Sequence, residues 1–134
     1  MKWKQRGMSI IEMSLCVVAV IFMMAAAMYF IPDLISTSRE ERAVAETAAL
    51  GGLISQYHME VGEYPNSLND LTKENGQYGP WIHKIPTDYF SKGGAYNYIH
   101  NDKKFVVFSS GKNQSPESSL ANGISGDDVG VVGR

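Results

Sequence analysis

Gly7-Met8-Ser9-Ile10-Ile11-Glu12, followed by an uncharged run over 13–31, decides how the rest of the chain is read. The run is 19 residues long. At a helical rise of about 1.5 Å per residue it covers roughly 28 Å, close to a bilayer core of about 30 Å. Lys2, Lys4 and Arg6 precede it, and one carboxylate, Glu12, stands at its edge. The cations favour the cytoplasmic side, so the C-terminal part is expected outside the cytoplasmic membrane. A secretory signal peptide is the competing reading. It would use the same basic stub and cut near Ala25-Ala26-Ala27, leaving a soluble protein that starts near Met28. The run exceeds a signal core of about 7–15 residues, and Glu12 falls where that core should begin.

Composition bounds the remainder. The chain has 134 residues and a formal net charge of −2. Removing Lys2, Lys4 and Arg6 leaves 9 of the 12 basic residues against 14 acidic ones, a net of −5. That balance argues against a nucleic-acid footprint, which is a concentrated basic face. A sparse patch of Lys103, Lys104 and Lys112 is the one exception to weigh. Cys16 is the only cysteine, so neither an intramolecular disulfide nor a cysteine-built zinc site is available. His58, His83 and His100 belong to no nucleophile–base motif, and no enzymatic activity is expected.

Glu12 needs a physical reason. A carboxylate at the membrane edge is disfavoured unless it reaches water or finds a partner. If the chain is cut after Gly7, Met8 becomes the amino terminus. Its ammonium on one subunit can then pair with Glu12 of a neighbour inside a bundle of apolar helices. A paired buried charge is tolerated where an unpaired one is not, so the pair would set the register between subunits.

The front stretch resembles the processing motif of type IV prepilins: a basic leader, Gly, an apolar first mature residue and Glu at the fifth. The resemblance implies cleavage after Gly7 by a prepilin peptidase and methylation of the new terminus at Met8. The sequence departs from the family pattern at Met8 and Ser9, where Phe and Thr are usual. It also departs at Pro32, which lies three residues later than the usual helix proline.

Downstream, apolar and small residues recur at helical spacing: Ile35, Val44, Thr47, Ala48, Leu50, Gly51, Ile54, Tyr57 and Val61. One long helix is expected from about Met8 to Val61, apolar all round over 8–31 and amphipathic over 32–62. Gly62 and Pro65 end it. A small globular domain is expected over 63–134. Ser67 to Asn75 reads as a short helix with Leu68 and Leu71 inward, and 77–86 as loop with Tyr78, Trp81 and Ile82 packing. Residues 96–100 and 104–109 are aromatic and β-branched, with Asn101-Asp102-Lys103 as a hairpin turn between them.

The stretch 113–126 is a polar loop closed by Asp127-Asp128. Loops of that length in small domains are usually functional or disordered. The residues allow two readings: a solvated acidic turn, or a site for a hard cation. Calcium takes six to eight oxygens from carboxylates and carbonyls. Here Asp127, Asp128, Asn113 and carbonyls from Ser109 and Ser110 to Lys112 are the candidates.

Glu63-Tyr64-Pro65, Ile85-Pro86-Thr87-Asp88, Phe108-Ser109-Ser110-Gly111 and Asp127-Asp128-Val129-Gly130 are similar, in that order, to the major pseudopilin of type II secretion systems. The resemblance implies an α+β, pilin-like fold, with a three-stranded sheet and calcium held by Asp127 and Asp128. Asn113 would stand near a family aspartate. It also implies a filament subunit whose partners are its own copies, minor pseudopilins, the inner-membrane secretion platform and the peptidase. The alternative within the superfamily is a type IV or competence pilin used in adhesion, motility or DNA uptake.

Overall fold

The computed structural model describes residues 9–134, so Gly7 and Met8 lie outside the described residues. The described residues form one long helix, α1 (Ile10–Val61), a single 3-10 turn (Leu68–Thr72) and three strands, β1 (Asn97–Asn101), β2 (Lys104–Ser109) and β3 (Val129–Gly133). The sheet is antiparallel in the order β1-β2-β3. This is the α+β arrangement expected from the sequence. The chain divides into two compact units after Thr37.

In the first unit α1 is apolar on every side, and its large side chains are exposed. Ile21, Phe22, Met23 and Met24 are 59–74% accessible. A helix hydrophobic all round satisfies its backbone internally and leaves its side chains to lipid or to other helices. It is long and apolar enough to cross a membrane. Glu12 sits in its first turn, where Oε2 accepts a hydrogen bond from the Ser9 amide at 2.9 Å.

In the second unit the face of α1 that packs carries Ala43, Thr47, Leu50, Gly51 and Ile54. Val44 and Ala48, expected on that face, are exposed. Ala43 takes their place because it lies one turn before Thr47 on the packed face, and Thr47 can be buried there because its hydroxyl donates to the Ala43 carbonyl at 2.7 Å. Ile35, further up the expected stripe, is also exposed. The core joins Leu50 and Ile54 to Phe105 and Val107 of β2, with Tyr64, Leu68, Leu71 and Tyr96 around them. Val106 and Phe108 alternate to the other face of β2 and are buried too, so the central strand is covered on both sides.

The hairpin forms where expected. Asn101 pairs with Lys104, and Asn101 Oδ1 accepts from the amides of Lys103 and Lys104. The expected short helix is one 3-10 turn, with Leu68 and Leu71 buried. Asp70 caps it by accepting from the Ser67 amide. Lys73, followed by the Ser67 donors, holds the Asp70 carboxyl below its ordinary range. Trp81 packs against Tyr57 with the rings tilted by 50° and donates to Glu60 at 2.7 Å. Tyr78 is 39% accessible rather than packed. Burial and then the Glu46 carboxylate, which accepts from its hydroxyl at 2.6 Å, push the Tyr96 phenol far up, so it stays protonated and ties the residue before β1 to α1.

Phe105 is 1% accessible at the centre of this core. Phe105→Ala is expected to cost about 3–5 kcal/mol. In a unit of this size that lowers the melting temperature by more than about 10 °C, read by calorimetry on the full chain in detergent.

Candidate functional site

The residues singled out near the end of the chain converge on one loop. β2 ends at Ser109, whose Cα partner is Val129 at the start of β3. The loop between them therefore leaves and returns at adjacent points of the sheet. Asp127 and Asp128 sit at its return, next to that pair.

Asp128 is buried at 6% accessibility. Its Oδ2 accepts three hydrogen bonds of 2.7 Å, from the amides of Glu117 and Ser118 and from the Ser118 hydroxyl. Its Oδ1 is buried and has no hydrogen-bond partner. Asp127 is exposed, and its Oδ2 accepts from the Asn113 amide at 2.8 Å. Gly111, at φ 63, presses against Asp127, and a Cβ there would collide with the Asp127 carbonyl. Only a residue without a side chain lets the two strands of the loop approach this closely.

Both ends of the Asn113 side chain are hydrogen-bonded within the loop. Nδ2 donates to Glu117 Oε1 at 2.9 Å, and Oδ1 accepts from the Ser115 amide. Glu117, which the sequence did not single out, lies over Gly126, where a Cβ would strike its carboxylate. Ser109 and Ser110 are buried, and their hydroxyls are occupied. Ser109 donates to Asp88 Oδ1 at 2.7 Å, and Ser110 accepts from Asn97 at 2.8 Å. A cleft of about 230 Å³ opens between Phe90, Gly111, Gly126, Asp127 and Asp128. Lys112 lines it too, with its ammonium 3.0 Å from Glu40.

The fit to a cation can be judged on these contacts. Among the described residues no three His, Cys, Asp or Glu side chains are placed to hold a metal by themselves. A cation here needs backbone carbonyls, which is how calcium is bound and how zinc is not. The buried, unpartnered Oδ1 of Asp128 is the feature that asks for one, because a buried anionic oxygen without a partner is costly. The donor set is all oxygen. Calcium fits it.

Glu12 is in the first turn of α1, away from the loop in sequence and in a different unit. Lys112 follows the end of β2 while Lys103 and Lys104 stand at its start, a strand length of roughly 17 Å apart. They do not form one basic patch. His58 is half-buried and stacked on Tyr64 at 4.1 Å.

The family model for type II secretion system protein G matches residues 32–126. No curated protein and no solved structure matches the chain. The match spans most of the chain, taking in the packed half of α1, the hairpin and most of the loop. The chain belongs to the type II secretion system protein G family, the major pseudopilins.

Proposed function

We propose that the chain is a structural subunit of a periplasmic pseudopilus that assists protein export by type II secretion. The family match carries this reading. The exposed, all-apolar front half of α1 supports it, since such a surface needs a bilayer before assembly and neighbouring anchors after it. In this reading the prepilin peptidase removes 1–7 after Gly7 and methylates Met8. The subunit waits in the inner membrane with its C-terminal unit in the periplasm. The secretion platform and the minor pseudopilins start the filament, and Glu12 of one copy pairs with the amino terminus of the next to fix register. The role is mechanical, without a catalytic step.

Asp127, Asp128 and backbone carbonyls of the loop would hold calcium. When bound, the cation supplies a cross-link between the two ends of a loop that otherwise has few apolar contacts, a staple suited to a small sheet. This chain's own residues prepare the site. Ser118 and the Glu117 amide fix Asp128, and Asn113 fixes Asp127.

A DNA-uptake pilin is the nearest rival, and the separation of Lys112 from Lys103 and Lys104 counts against it. The test is made in cells that carry the rest of the secretion system. Deleting the chain should stop export of folded substrates, and restoring it should return export together with a mature mass that begins at methylated Met8. Unchanged export with loss of adhesion, motility or DNA uptake would assign a true pilin. A mature chain starting near Met28 would assign a soluble secreted domain.

A further inference from the structure

Two buried carboxylate oxygens lack any partner among the described residues: Asp128 Oδ1 and Asp88 Oδ2. Asp88 is 1% accessible. It lies far from the loop in sequence, yet it is tied to the loop's base. Its Oδ1 accepts from the Ser109 hydroxyl at 2.7 Å, and Ser109 is the cross-strand partner of Val129, the residue after Asp128. The same Oδ1 accepts from the Phe90 amide at 2.9 Å, and Phe90 forms a wall of the cleft beside Gly111, Asp127 and Asp128. The Asp88 amide in turn donates to the Gly94 carbonyl at 3.0 Å, which holds the 88–94 turn closed.

A carboxylate in this position does two things. Through Oδ1 it fixes where β2 hands the chain to Ser110 and Gly111. Through Oδ2 it presents a buried acceptor that no donor among the described residues meets. Among the described residues no cation is hydrogen-bonded to it. Lys112, which lines the same cleft, is spent on Glu40 at 3.0 Å. A divalent cation held by Asp127 and Asp128 would meet the orphaned Asp128 oxygen and add positive charge at the loop whose base Asp88 supports.

We infer that Asp88 is a positioning residue for the cation loop, orienting its entry through Ser109 and adding negative charge at the loop's base. This rests on the calcium reading given above. It assigns a function to a residue that lies outside the loop and does not itself need to touch the ion.

The experiment is calcium titration of the full chain in detergent by calorimetry, with melting temperature measured with and without calcium. Asp88→Asn keeps the acceptor for Ser109 and Phe90 and removes the charge. It should raise the calcium Kd about tenfold to a hundredfold, the usual loss when a residue supporting a metal ligand is changed. Its melting temperature without calcium should hold or rise, because a buried unpaired charge is gone. Ser109→Ala keeps the charge and cuts the link, and should raise the Kd about threefold. A merely structural Asp88 would lower the calcium-free melting temperature and leave the Kd within twofold, which overturns the inference. If Asp88→Asn does not fold, Ser109→Ala decides: an unchanged Kd there overturns it as well. Wild-type protein that ignores calcium defeats the calcium reading itself, a result distinct from the other two.

Discussion

Removing calcium from the full chain in detergent is expected to lower its melting temperature by about 10–20 °C, and Asp128→Asn is expected to abolish that response. A ligand present at a hundred times its Kd stabilises the folded state by about 2.7 kcal/mol. In a unit of about 100 residues each kcal/mol moves the midpoint by roughly 4–8 °C. Asp128 governs the effect because its two oxygens do separate jobs. Oδ2 already holds Glu117 and Ser118 by three hydrogen bonds, while Oδ1 has nothing. Asparagine can keep the first job through its carbonyl and must fail at the second. Its calcium-free stability should therefore stay close to wild type. Alanine removes both, and Asp128→Ala should lose about 3 kcal/mol or more even without calcium, because two amides and a hydroxyl lose a charged acceptor. An Asp128→Asn protein that still gains the full calcium increment would remove Asp128 from the site.

Much of this architecture was legible in the sequence because its signals are local and strong. An uncharged run of membrane length has few meanings, and two β-branched, aromatic stretches around Asn101-Asp102-Lys103 make a hairpin. Strand β3 was harder to see from the residues themselves. Val129–Gly133 carries glycine at positions 130 and 133, and glycine weakens strand propensity. The structure shows their use: a Cβ at Gly130 or Gly133 would run into Val107 and Phe108 or into the Phe105 ring. The helix stripe took in Val44 and Ala48 and missed Ala43 because spacing alone does not say which neighbour completes the line of Thr47, Leu50, Gly51 and Ile54, and valine is the more hydrophobic choice. In the loop, the carboxylate pair announced itself by adjacency. Glu117 and Asp88 did not, since each reaches the site only through the fold. Glu117 arrives because the loop folds back on Asn113, and Asp88 because a hydrogen bond of 2.7 Å joins it to Ser109.

Glu12→Gln is expected to leave the subunit inserted in the membrane and to abolish its assembly. The side chain stands at the start of a helix whose surroundings in a filament would be other apolar helices, such as those exposing Ile10, Ile11 and Leu15. A carboxylate there is tolerable only against a cation, and the amino terminus created at Met8 of a neighbouring copy is the cation the reading supplies. Neutralising one member leaves the other buried and unpaired, a loss of about 3–5 kcal/mol per contact. At the lower figure the concentration needed for growth rises by more than about a hundredfold. Insertion depends on the uncharged run over 13–31 and should be unaffected. The deciding measurement is electron microscopy of filaments released from the periplasm of cells producing equal amounts of either protein. Wild type should give regular filaments and Glu12→Gln essentially none. Glu12→Gln filaments of wild-type number and regularity would contradict the account.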